Sequence, residues 1–182
     1  IITGRRRERL EKLKTSLESE FQVKVLTLSF DVRDQSAVKS NLNSLPKEWK
    51  SIDALINNAG LASGLNHIQD GDIKDWDRMI DTNVKGLLYV SKSIIQLMIE
   101  RKKGHIINIG STAGKEVYEN GNVYCASKHA VDAISKGMRI DLLGTGIKVT
   151  QIAPGAAETE FSLVRFHGDE ARAKSAYNGY QP

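Results

Sequence analysis

The chain has 182 residues, 40% hydrophobic, 26% charged and 6% aromatic, with 15 Gly, 3 Pro and a single Cys. That excludes a disordered chain, a collagen and a disulfide scaffold, and the length suits one domain or part of a larger one. The net charge of +4 is local: residues 1–50 carry 11 Lys/Arg against 7 Asp/Glu, while residues 51–182 carry 15 of each.

Arg5, Arg6, Arg7 and Arg9 supply most of the excess. So short a patch suits a phosphate group or a solvated first helical turn better than a polynucleotide. No run approaches the roughly 18 apolar residues of a membrane span, and the opening Ile-Ile-Thr-Gly with its arginines does not read as a signal peptide. One Cys without a CxxC excludes a Cys-based zinc site and fits a reducing cytoplasm. The expected partner is a small molecule, with neither nucleic acid nor membrane.

In chain order, residues 1–4 read as the end of a buried strand. Residues 6–20 place Leu10, Leu13 and Leu17 three and four apart, an amphipathic helix. Residues 23–30 are rich in β-branched and apolar side chains and predict a strand; residues 35–45, with Val38, Leu42 and Leu45, predict a helix that stops before Pro46. A short strand at 52–56 breaks into Asn57-Asn58-Ala59-Gly60. A long helical stretch follows from about 72 to 103, bent near Thr82-Asn83, then a strand at 105–109 and a second long helix at 122–143. Residues 147–153 form a strand closed by Pro154-Gly155, and 158–177 are polar and helical in part. Without repeats or linkers, 1–182 reads as a single domain. Alternation of this kind predicts an α/β fold, a Rossmann-like, doubly wound parallel sheet with helices on both faces. Ligands of such sheets bind beyond the carboxyl ends of the strands.

The chemistry-bearing residues cluster at those ends. Arg5 and Arg6 follow the first strand, where arginine pairs with the 2′-phosphate of NADP. After the second strand, Asp31-Val32 places a carboxylate near an adenine amino group. Asn58, Ala59 and Gly60 are small enough for close approach of the backbone to a ligand. Ser111 follows the fourth strand and Pro154-Gly155 the fifth. Tyr124 and Lys128 share a helical face four residues apart. A cation close to a phenol favours the phenolate and makes tyrosine an acid/base near neutrality, although a lone YxxxK also occurs as an exposed surface pair.

Asn57-Asn58-Ala59-Gly60, Asn83, Ser111-x-Ala113-Gly114, Tyr124-x-x-x-Lys128 and Pro154-Gly155 together resemble the short-chain dehydrogenase/reductase family. The resemblance implies that Tyr124 exchanges a proton with the substrate oxygen and that Ser111 hydrogen-bonds it. Lys128 would lower the tyrosine pKa and bind the nicotinamide ribose, and Asn83 would hold a water linking Lys128 to solvent. Pro154-Gly155 would shape the chain beside the nicotinamide of NADP, with Thr159 near its amide or the phosphates. A closer likeness is to bacterial and yeast NADP-dependent 3-hydroxy acid dehydrogenases, which act on L-allo-threonine, serine and related acids. It is carried by Thr3-Gly4-Arg5-Arg6-x-Glu8-Arg9-Leu10, residues 104–111, Gly121-Asn122-Val123-Tyr124 and residues 158–166. It implies hydride transfer between NADP and a short 3-hydroxy acid. An acid substrate needs a cation, and Arg165 is the candidate, the other reading being a surface arginine. The within-family alternative is another carbonyl substrate (a sugar, steroid or acyl thioester); the alternative of another class is a non-catalytic binding module that kept the fold.

None of the 15 glycines forms GxxxGxG or GxGxxG, and the chain opens at what resembles the family's second strand. The expectation is therefore a partial domain lacking the first and last strands, with a hole in its sheet. His67, His105, His129 and His167 show no metal-ligand spacing, and the Asp70–Asp81 run reads as helix N-terminal carboxylates, so no metal is expected. Cys125 reads as a small core residue. The two long helices suit pairing between copies, as in the family's dimers and tetramers.

Overall fold

A computed structural model describes residues 1–157 and 159–175. Strand β1 (Ile2–Gly4) leads into helix α1 (Arg7–Phe21), followed by β2 (Thr27–Ser29), α2 (Gln35–Asn43) and β3 (Ala54–Asn57). Next come α3 (Ile73–Ile80), a π-helical segment (Asp81–Gly86) and α4 (Leu87–Arg101) without interruption. The chain continues through β4 (Gly104–Ile109), α5 (Asn122–Asp141), β5 (Ile147–Ile152), α6 (Glu160–Arg165) and α7 (Glu170–Ser175).

The helix starts have local causes. Asp34 accepts from the Ala37 amide and Asp72 from the Lys74 amide, each satisfying an orphan donor of the first turn. Helix α4 stops at Lys102, whose φ of 52° is left-handed. The strand expected over 23–30 contracts to Thr27–Ser29, because the Val25 amide is drawn off to Glu18 Oε1 of α1 at 3.0 Å. The helix expected from 72 to 103 is bent where the sequence suggested: the π turns enclose Thr82 and Asn83. Residues 160–165 and 170–175 are the helical parts of the polar tail; Glu158 and residues 176–182 lie outside the described residues.

All strand pairings are parallel, as the alternation of elements predicts. They fall into two pieces, β1–β2 and β3–β4–β5. The inner edges of β1 and β3 have no described strand between them and flank a cleft of about 930 Å³ lined by Ile2, Gly4, Phe30, Leu55 and Asn58 among others. This cleft is the expected gap in the sheet.

The main core lies where α2, α4 and α5 cover the larger sheet, with Val38, Ile94, Met98 and Ile106 at 2% exposure or less. Full burial of side chains such as Met98 and Ile106 contributes roughly 2–3 kcal/mol each. Ile106 stands opposite Leu55 on one side and Val149 on the other, so β4 is the centre of that sheet. A buried polar chain crosses it. Asn57 Nδ2 donates to Ser91 Oγ at 2.9 Å and to Asn108 Oδ1 at 2.8 Å, and Asn108 Nδ2 donates to Ser135 Oγ at 2.9 Å. It joins α4, β3, β4 and α5 by contacts that water does not screen. A second apolar cluster of Leu61, Ala62, Met79, Ala113, Tyr124 and Cys125 lies next to the strand ends. Cys125 is fully buried in it, a core residue as expected.

Candidate active site

Helix α5 carries Tyr124, Ser127 and Lys128 at positions i, i+3 and i+4, one face of the helix, and all three are buried. The helix seats closely on the turn after β4, since a Cβ at Gly114 would stand 2.6 Å from the Lys128 carbonyl oxygen. Lys128 Nζ donates to the Ile109 carbonyl at 3.0 Å and lies 6.0 Å from the Tyr124 ring centroid. Ser111, extended at the exit of β4, accepts from the Ala113 amide at 3.1 Å and is hydrogen-bonded to the Tyr124 side chain. The three residues that the spacing singled out thus meet at one strand end.

Asn83 reaches the same place from the π segment, and both Nδ2 hydrogens are engaged. Nδ2 donates to the Leu61 carbonyl at 2.8 Å and to Ser127 Oγ at 2.9 Å, while Oδ1 accepts from the Leu61 amide at 2.8 Å. Asn83 thereby ties α5 to the loop after β3. That loop lies close by: a Cβ at Gly60 would stand at ordinary van der Waals distance, 3.4 Å from Asn83 Oδ1 and 3.5 Å from Lys128 Nζ.

Burial sets the electrostatics. It pushes the Tyr124 phenol above its ordinary value, opposed by the hydrogen bond from Ser111 and the charge of Arg165. Burial alone pulls Lys128 down to about 8. The ammonium therefore begins to lose its charge just above neutrality, where a surface lysine keeps it.

The expected cofactor residues line the cleft between the two sheets: Arg5, Arg6, Asp31, Val32 and the Asn58-Ala59-Gly60 turn. Asp31 is not a bare carboxylate. Arg33 grips both of its oxygens, with Nη2 2.7 Å from Oδ2, and this hydrogen bond is the main reason its pKa lies below the usual range. Arg6 and Arg9 face Glu160 Oε2 at 3.7 and 2.8 Å, so the basic patch already meets an anion of the protein itself. Pro154 accepts the Thr112 amide through its carbonyl at 3.0 Å, and a Cβ at Gly155 would meet open space. Thr159 caps α6, its hydroxyl accepting from the Phe161 amide at 3.1 Å.

Helix α6 spans from the basic patch to the tyrosine. Phe161 meets the Tyr124 ring edge-on, with centroids 5.8 Å apart. Arg165 is not a surface arginine: it is 9% exposed, and its Nε donates to the Gly64 carbonyl at 3.0 Å. Among the described residues, no carboxylate lies within ion-pair distance of it.

Sequence reasoning missed Arg33, Ser127 and Glu160's hold on the arginines. Two had a readable signal. Ser127 shares the 124/128 face, and Arg33 follows Asp31 by two residues, the spacing at which an aspartate caps its own turn. The Glu160 pair spans 151 residues and had none.

Comparison with known proteins gives the family. A family profile described as short chain dehydrogenase matches residues 1–168. The chain is 49% identical over 178 residues to the NADP-dependent 3-hydroxy acid dehydrogenase YdfG of Salmonella typhi, covering 97% of this chain and 70% of that protein. It is 41% identical over 182 residues to the NADP-dependent 3-hydroxy acid dehydrogenase of Schizosaccharomyces pombe, covering 100% of this chain and 70% of that protein. A closed form of serine dehydrogenase complexed with NADP+ superposes with a TM-score of 0.91 at 47% identity, covering 98% of this chain and 71% of the other. A phenol, a buried lysine and a serine converging at a parallel strand end are matched by likeness along nearly the whole chain, and the protein belongs to the short-chain dehydrogenase family.

Proposed function

We propose that this chain is a single NADP-binding dehydrogenase domain that oxidises a short 3-hydroxy acid to the 3-oxo acid, or runs the reverse reduction. The carrying observation is Arg165. A buried guanidinium without a carboxylate partner among the described residues, 5.8 Å from the Tyr124 ring centroid, calls for an anion from the ligand. A carboxylate there would bring an acid substrate beside the Tyr124 ring. The names of the relatives, 3-hydroxy acid dehydrogenases and serine dehydrogenases, support the same substrate class.

The residues along the cleft fit NADP. Arg5 and Arg6 would hold the 2′-phosphate and Asp31 with Val32 the adenine. The Asn58-Ala59-Gly60 turn leaves room for close approach, and Lys128 and Tyr124 would meet the nicotinamide ribose. Pro154, Gly155 and Thr159 would stand beside the nicotinamide. When bound, NADP supplies the two-electron acceptor or donor. The protein supplies position and a proton path. In oxidation the Tyr124 phenolate takes the substrate hydroxyl proton while the Ser111 hydroxyl donates to the same oxygen. The Lys128 ammonium favours the phenolate, and Asn83 holds the Leu61 loop against α5 so that these groups stay in register.

Replacing Tyr124 by Phe removes the proton acceptor and keeps the packing. Turnover of 3-hydroxy acids with NADP should fall by about 10²–10⁴-fold while NADP affinity, read by fluorescence titration, changes little. Undiminished turnover would overturn the role. A preference for neutral alcohols over hydroxy acids would overturn the substrate class. In the same reading the protein is a cytoplasmic homodimer or homotetramer, supported by the buried free thiol of Cys125 and by the exposed Ile140 and Leu143 at the end of α5.

A further inference from the structure

Arg165 is held more elaborately than a carboxylate anchor requires. Its guanidinium carbon lies 5.6 Å from the centroid of the Tyr118 ring, 5.8 Å from that of Tyr124 and 5.8 Å from that of Phe166. Its backbone carbonyl accepts from the Gly64 amide at 2.9 Å, while its Nε returns a bond to the Gly64 carbonyl at 3.0 Å. The head group is thus fixed beside the acid/base tyrosine from two sides of the chain. Lys128 Nζ stands 6.0 Å from the same Tyr124 centroid. Two cations therefore stand at nearly equal range from one tyrosine ring, and Arg165 is the one whose charge lowers the proton affinity of the phenol.

Resting on the functional reading above, we infer that Arg165 is the second cation of Tyr124, so that a substrate carboxylate landing on Arg165 sets the proton affinity of the phenol that reacts with the same substrate's hydroxyl. In the free enzyme the guanidinium favours the phenolate. When the carboxylate pairs with it, that help is partly cancelled and the phenol holds its proton more tightly. The phenolate becomes a stronger base once an acid substrate is seated. A neutral alcohol leaves it unchanged.

The surroundings favour this role. Ser111, at the exit of β4, and Arg165 lower the proton affinity of Tyr124, whereas burial, Tyr118 and Cys125 raise it. Lys128 sits near 8, so its charge declines above neutrality. A guanidinium keeps its charge throughout that range. Asp72, which caps α3, and Asp75 within it line the same small pocket as Tyr124 and Arg165. Asp75 is engaged by Ser63 Oγ at 2.6 Å and by His167 Nε2 at 3.3 Å, and Asp72 caps its own helix. Neither pairs with Arg165 or supplies a cation to the phenol.

The test compares 3-hydroxybutyrate with its neutral methyl ester, both oxidised with NADP by the intact protein across pH. For the acid, the acidic limb of kcat, which reports the substrate complex, should lie about one pH unit above that of kcat/KM, which reports the free enzyme. For the ester the two limbs should coincide. In Arg165→Met the kcat/KM limb for the ester should move up by about one unit, and in Arg165→Lys it should stay near the wild-type position. Coincident limbs with both substrates, or an ester limb unmoved in Arg165→Met, would overturn the inference and leave Arg165 as an anchor only. A wild-type limb retained in Tyr124→Phe would instead break the functional reading. Should Arg165→Met not fold, the comparison of acid and ester on the unmodified protein decides.

Discussion

The two halves of the molecule are built from different kinds of contact. Around β3–β4–β5, polar side chains that matter are buried and paired with one another: Asn57 to Asn108, Asn108 to Ser135, Asn83 to Ser127. Around β1–β2, charged side chains meet in the open. Arg6, Arg9 and Glu160 are each 57% exposed or more. Desolvated hydrogen bonds hold position to fractions of an ångström, whereas exposed ion pairs are screened and readily exchanged. The half that carries Ser111, Tyr124 and Lys128 is held by buried, paired contacts. The half that carries Arg5, Arg6 and Arg9 keeps exposed contacts that an incoming anion can replace.

The sharpest way to test this contrast is Lys128, the charge buried in the β3–β4–β5 half. Its fall from 10.5 to about 8 means that folding must carry an ammonium into a dry site. The sign follows from proton uptake: between pH 8 and 10.5 the unfolded chain binds the extra proton, so stability rises with pH across that window. Below it the burial costs about 3 kcal/mol. Lys128→Met should therefore abolish turnover yet raise the melting temperature at pH 7, with the gain fading by about pH 10. A variant less stable than the parent at pH 7 would show that the bond to Ile109 outweighs the burial.

Asn108→Ala attacks the polar chain itself. It opens a small cavity and removes a partner from Asn57 and from Ser135, and should cost roughly 2 kcal/mol in urea unfolding. A cost within error would mean that water or neighbouring atoms fill the gap. The weakest effect belongs to the open half. Glu160→Gln should leave the melting temperature unchanged and tighten NADP binding severalfold, because the anion competing for Arg6 and Arg9 is gone. Weaker NADP binding would instead make Glu160 a group that orients those arginines for the phosphate.

Legibility in the sequence followed the same division. The alternation of strand-like and helix-like periods, the position of each strand end and the placement of Tyr124, Lys128 and Ser111 were readable, since they depend on neighbours a few residues apart along one element. Boundaries suffered where a side chain of a neighbouring element intervened, as when Glu18 of α1 drew the Val25 amide out of the strand expected over 23–30.

What the sequence determined by itself was the order of elements, the parallel sheet and which residues stand at its carboxyl ends. The tertiary structure decided the rest: that Asn83 ties α5 to the loop after β3, that Arg33 covers Asp31, and that Arg165 is buried against Tyr124. Those facts join residues tens of positions apart, Arg33 and Asp31 excepted. Whether a charge is paired, buried or free depends on what folds over it, and local periodicity carries no record of that.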